Sequence, residues 1–159
     1  MTNLLLLLGN SFPYTLDGTS FCELSTLVIP SFLTKHTGLQ LPRNVERMRF
    51  NYKYVAIVYG IVCEVTNKIY VGSTWDPVKR FNKHLIQLDT NASNIGLQND
   101  IAKHGLESLT VYVFTKVAID RGLPTNERKQ ILREAEQNYI DLFTAEQLYN
   151  TTDSARRIK

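Results

Sequence analysis

Two short runs constrain this chain more than anything else in it: Tyr54-Val55-Ala56-Ile57-Val58-Tyr59-Gly60-Ile61-Val62-Cys63-Glu64 and Lys68-Ile69-Tyr70-Val71-Gly72. Both are dense in β-branched and aromatic residues, the composition of strands. The Val65-Thr66-Asn67-Lys68 stretch between them suits a tight turn, because Asn67 tolerates a left-handed backbone. The two runs therefore close as an antiparallel hairpin. With Thr66 and Asn67 as a two-residue loop, Cys63 faces Tyr70 and Tyr59 faces Thr74. Side chains alternate along a strand, so Tyr59, Ile61 and Cys63 share one face and Tyr70 joins them. Two tyrosines from neighbouring strands converge on one side of the sheet, and a one-residue slip would separate them.

Downstream signals alternate helix and strand. Asp76 is an N-cap type and Pro77 suits the first helical position, which predicts a helix start there. Val78, Phe81, Leu85 and Leu88 form its apolar stripe. Arg80 and His84, four residues apart, share a neighbouring face, with Lys79 and Lys83 beside them. A second helix fits Ile95 to His104, closed by Gly105. Leu109 to Phe114 alternates as a third strand, in which Tyr112 reads as a packing residue. A long helix follows, capped by Thr125, with Glu127 in its first turn, and runs through Phe143. On that helix Leu132, Glu136, Ile140 and Phe143 form one row. A lone glutamate in such a row more often reaches water at its edge. One turned toward a core must be paired, protonated or bound to a metal.

Composition sets the frame around these elements. A chain of 159 residues with 43% hydrophobic and 21% charged residues is of the size and make-up of one globular domain, not a disordered chain or a fibre. Residues 1–47 are neutral, so the whole formal charge of +3 lies in 48–159. A polyanionic partner, if there is one, meets the second part. The first part holds Pro13, Pro30 and Pro42 and shows no persistent helical or strand period, and His36 falls within it. Leu4 to Leu8, ended by Gly9-Asn10, is too short for a membrane span or a secretory signal. Cys22 and Cys63 make neither a disulfide framework nor a zinc motif, which favours a reducing, intracellular compartment.

Taken in order, these residues resemble the GIY-YIG nuclease domain family, from Tyr59 to Asn150. Ile57-Val58-Tyr59, ten residues, and Tyr70-Val71-Gly72 stand where the family has its two strand triplets, the first without its glycine. Gly60-Ile61-Val62 offers another register for the first triplet, but it loses the tyrosine and leaves seven intervening residues. Gly72-Ser73-Thr74, Arg80 with His84, Ile101-Ala102-Lys103-His104-Gly105, Glu136-Gln137-Asn138-Tyr139-Ile140 and Tyr149-Asn150 follow in the family's order.

The resemblance implies an α+β fold, a small three-stranded antiparallel sheet flanked by three helices. That domain would span 53–152, between an N-terminal extension over 1–52 and a short basic tail over 153–159. It further implies hydrolysis of DNA phosphodiesters, with Glu136 holding a single divalent ion, Mg2+ or Mn2+. Arg80 would face the scissile phosphate. Tyr59 and Tyr70 would be the paired active-site tyrosines, with His84 beside them and Gly72 as the structural glycine. Lys79, Lys83 and Asn150 are candidates for contact with substrate. The residue types suit the reaction. A guanidinium is a planar fork that stays charged, and magnesium commonly takes one or two carboxylates and keeps waters. Tyr59 would serve as base if nearby positive charge lowered its pKa from about 10.

The implied enzyme is either homing-type, encoded in an intron, or a structure-specific repair nuclease. The alternative is a non-catalytic nucleic-acid-binding module that kept the fold, suggested by the missing glycine. Targeting would come from residues 1–52, from a partner protein, or from neither, since a tail carrying Arg156, Arg157 and Lys159 cannot read a long site. No membrane association is expected. The sequence assigns no oligomeric state, and an intron-encoded origin would be compatible with the mitochondrion.

Overall fold

The computed structural model describes residues 26–82, 85 and 95–150. Its centre is a four-stranded antiparallel sheet in the order β1-β4-β2-β3, with β1 Thr34–His36, β2 Ile57–Cys63, β3 Lys68–Thr74 and β4 Leu109–Lys116. The helices are α1 Pro42–Asn51, α2 Pro77–Phe81, α3 Ile95–His104 and α4 Thr125–Ile140. The fold is α+β, with one strand and one helix beyond the three and three expected. Both additions come from the N-terminal part, where the sequence shows no sustained period.

Every residue of β2 is buried, because helices cover both faces of the sheet. A strand covered on both sides reads as a continuous apolar run instead of an alternating one. On one face Ile57, Tyr59, Ile61 and Tyr70 pack with Val45 and Met48 of α1, Phe81 of α2, and Leu97 and Ile101 of α3. On the other, Val58, Val71 and Phe114 pack with Ile140 of α4 and with Phe143 just past its end. The first core thus runs unbroken from Leu39 to the hairpin, across the point near residue 50 where the charge pattern changes. His36 also has a place, in β1, with its Nε2 3.1 Å from Thr34 Oγ1.

The hairpin register differs from expectation by two residues. Cys63 pairs with Lys68, Ile61 with Tyr70 and Tyr59 with Gly72. The connection is therefore the four residues Glu64 to Asn67, with Asn67 in the left-handed region at φ 57°. A shift of two preserves the face of every side chain, so the tyrosines still converge. Between β2 and β4 the register slips at Val58/Tyr59, leaving Phe114 as the extra residue of a bulge.

Helix ends follow local chemistry. Asp76 caps α2 by accepting from the Lys79 amide at 3.1 Å, and Pro77 begins the helix. Gly105 follows α3 at φ 80°, its amide bonded to the Ile101 carbonyl. At α4 the expected cap is displaced by one. Pro124 holds the N-cap position and Thr125 is the first helical residue, its hydroxyl accepting from Arg128. Leu88, expected on the α2 stripe, lies outside the described residues.

Candidate active site

Strands β2 and β3 deliver Tyr59 and Tyr70 to one face, with ring centroids 6.4 Å apart. Tyr59 is fully buried and meets Phe81 edge-on at 4.8 Å, while Tyr70 is 6% exposed. Gly72 stands opposite Tyr59, and the reason for a glycine is space. A Cβ there would lie 2.8 Å from Tyr59 Oη and 2.9 Å from Tyr70 Cε1.

The α2 cap fixes where Arg80 falls, since its amide bonds the Asp76 carbonyl in the first turn. From there the guanidinium bridges the pair, with Nε donating to Tyr59 Oη at 3.1 Å and Nη2 donating to Tyr70 Oη at 2.8 Å. A guanidinium has five N–H donors, so this bridge uses only part of the fork. Burial works against the Arg80 charge, but the two phenols more than offset it and hold the group more firmly protonated than usual. Burial pushes the Tyr59 phenol well above its ordinary range, and Arg80 only partly opposes this. In this environment Tyr59 keeps its proton at neutral pH, contrary to a base activated by Arg80 alone.

Glu136 arrives from α4, the layer on the opposite face of the sheet, at the end of β3. Ser73 Oγ donates to its Oε2 at 2.5 Å. Burial raises the Glu136 carboxyl above the usual range, against the lowering effects of Ser73, Arg80 and Arg133. Glu136 is half-buried, so it is neither a freely solvated residue nor a core carboxylate. Arg80, Glu136 and Ser73 line one cleft of about 510 Å³, rimmed by Lys79, Lys129 and Arg133.

The family model of the GIY-YIG catalytic domain matches residues 55–150. The chain belongs to the GIY-YIG family. A curated relative is the probable intron-encoded endonuclease 1 of Neurospora crassa, 29% identical over 93 residues. The match covers 58% of this chain and 29% of that relative. No solved structure matches. In the preferred register of the first triplet, the glycine position falls on Ile57, a core residue with no solvent exposure.

Of the residues singled out from sequence, Tyr59, Tyr70, Gly72, Arg80 and Glu136 come together, with Lys79 at the rim. Lys83 and His84 lie outside the described residues. Asn150 is not among the residues that line the cleft and is engaged with β3 instead. Its Oδ1 accepts from the Val71 amide at 2.9 Å and its Nδ2 donates to the Val71 carbonyl at 2.7 Å. Both ends of its amide thus brace the outer edge of β3. Ser73, Lys129 and Arg133 were missed. The two cations lie seven and three residues before Glu136, helical spacings that put them on its face. Ser73 carried no comparable signal.

The oxygen-only chemistry of Glu136 and Ser73 suits a hard cation such as Mg2+ or Mn2+. Among the described residues, no group of three or more His, Cys, Asp or Glu gathers into a metal cluster. A cation here would rest on one carboxylate and otherwise on water and substrate oxygens.

Proposed function

We propose that this chain carries the catalytic domain of a divalent-metal-dependent DNA endonuclease, homing-type or structure-specific. The observation that carries the reading is the Arg80 fork anchored on two buried phenols, in the same cleft as a half-buried, hydroxyl-bonded Glu136. The family assignment and the name of the Neurospora relative support it.

In the proposed mechanism Arg80, held rigid by the two tyrosines, offers its remaining donors to the scissile phosphate and offsets charge on its non-bridging oxygens. Lys79, Lys129 and Arg133 orient the flanking backbone. Glu136 is the ligand for the cation, which when bound supplies charge neutralisation and an acidified water. Tyr59 begins with its proton in place and, being fully buried, acts by positioning the Arg80 guanidinium. It accepts a proton only where more positive charge than Arg80 gathers beside it. His84, four residues beyond Arg80, is the proposed relay. Ile57 argues against the binding-module alternative, since it replaces the glycine with ordinary core and removes no reacting group.

The test is nicking of supercoiled plasmid. Cleavage should need Mg2+ or Mn2+, stop in EDTA, and vanish in Glu136→Ala and Arg80→Ala. DNA that is bound but uncut, across supercoiled, linear and branched substrates, would overturn the catalytic reading.

A further inference from the structure

Beside the cleft, and sharing Trp75 and Asp76 with it, lies a second groove of about 610 Å³. Its walls include Val55, Val78 and Ile119, while Lys53, Arg121 and Arg128 supply positive charge. Two aromatic rings flank it, Tyr54 at 72% and Trp75 at 42% exposure. Each already holds a cation: Lys53 Nζ lies 4.9 Å from the Tyr54 centroid, and the Arg128 guanidinium 5.8 Å from that of Trp75. The Nε of Arg128 is shielded from solvent and has no acceptor.

Tyr54 adopts φ 64°, a left-handed backbone that bulky residues rarely take, and Arg121 donates to its carbonyl at 3.5 Å. The ring gains little packing there. Strain of this kind persists where the surroundings enforce it, and it gathers at binding sites.

We propose that this groove holds an unpaired nucleotide of the DNA strand entering the catalytic cleft. Its base would lie against Tyr54 and Trp75, and its phosphates would meet Lys53, Arg121 and Arg128. A base inside a duplex is stacked on its neighbours and has no face to offer an aromatic ring. Apolar walls give a phosphate nothing but suit an unstacked base. Exposed rings interleaved with cations are the means by which proteins hold single strands. The shared Trp75 and Asp76 make groove and cleft one continuous track. The substrate class is therefore DNA with an unpaired nucleotide next to the cut, such as a flap or a branch, in preference to intact duplex. This inference rests on the nuclease reading of the adjoining cleft.

Trp75 is the chain's single tryptophan and lines groove and cleft alike, so its emission reports DNA at either, and Tyr54→Ala isolates the groove's share. The full chain carrying Glu136→Gln, which removes the proposed metal-holding carboxylate, is titrated in Mg2+ with a fully paired duplex and with the same duplex bearing a single-stranded flap. The flapped DNA should quench Trp75 saturably and bind about tenfold more tightly. Adding Tyr54→Ala should erase that difference. Equal affinity and equal quenching by the two DNAs, or flap binding with no change in emission, overturns the proposal. Plasmid nicking by the unsubstituted chain separates the two readings. Nicking without a Trp75 response removes the groove and leaves the nuclease. A Trp75 response without nicking does the reverse.

Discussion

Replacing Gly72 with alanine tests whether the tyrosine pair is a built object. The new methyl would sit 2.8 Å from Tyr59 Oη, 2.9 Å from Tyr59 Cζ and 2.9 Å from Tyr70 Cε1. Carbon contacts are comfortable at about 3.5–4.0 Å, so the rings must give way by roughly 1 Å. Tyr59 has nowhere to go, being fully buried with its ring against Phe81. Overpacking of this kind costs about 1–3 kcal/mol, equivalent to a fall in Tm of roughly 2–12 °C for a chain of this size. The larger effect is on chemistry, since both phenols position Arg80. A 1 Å displacement there should lower single-turnover cleavage on the order of 100-fold. Gly60→Ala is the matched control. Its methyl would meet Phe114 and Ile69 at 2.7 and 2.8 Å, on the opposite face of the sheet. Gly60→Ala should destabilise comparably by circular-dichroism melting, yet cleave at close to the normal rate per folded molecule. If Gly72→Ala melts and cuts like the parent protein, or if both variants lose cleavage equally, the rings do not hold Arg80 as described.

Other outcomes follow from the same geometry. The Glu136 carboxyl is raised in the fold, so its ionisation opposes folding at pH values above the raised pKa, and this penalty disappears as pH falls to the unfolded value near 4.5. Glu136→Gln should therefore raise Tm at pH 7 in EDTA, with the gain shrinking toward pH 4; a lower Tm at pH 7 would refute the burial argument. Arg80→Lys keeps the charge but cannot bridge two phenols as a fork, so cleavage should fall at least about 100-fold, and near-normal cleavage would mean that charge alone suffices. Asn150→Ala removes two bonds to the β3 edge and should cost about 1–3 kcal/mol. Faster hydrogen exchange at the Val71 amide is the local readout, and unchanged exchange would place the brace elsewhere.

The hairpin was legible because its evidence is period two, which survives an error of two in register. The turn length was not, since Glu64 and Val65 carry no turn signature and Asn67 suits a two-residue or a four-residue connection equally well. α1 left a trace in Val45, Met48 and Tyr52, spaced three and four apart. Among Arg43, Glu46, Arg47 and Arg49 that stripe is narrow, and what makes it helical is the core it meets. β1 is three residues long and exists only through pairing with β4. Glu136 could be found because a carboxylate interrupts an apolar row. Its partner Ser73 could not, because a hydroxyl at a strand end looks the same whether it faces water or an acid. The tilt of Arg80 onto both tyrosines likewise depends on where the cap of α2 begins.

The continuous core from Leu39 to Tyr59 has a consequence for how this domain can be moved between proteins. A cassette cut at residue 53 would leave behind Val45, Met48 and Tyr52, and with them the apolar backing of the strand that presents Tyr59. Such a transplant would carry every residue of the described cleft and still arrive with its reactive face unsupported. The smallest portable unit therefore begins upstream of β1, where the chemistry has ended but the scaffold has not.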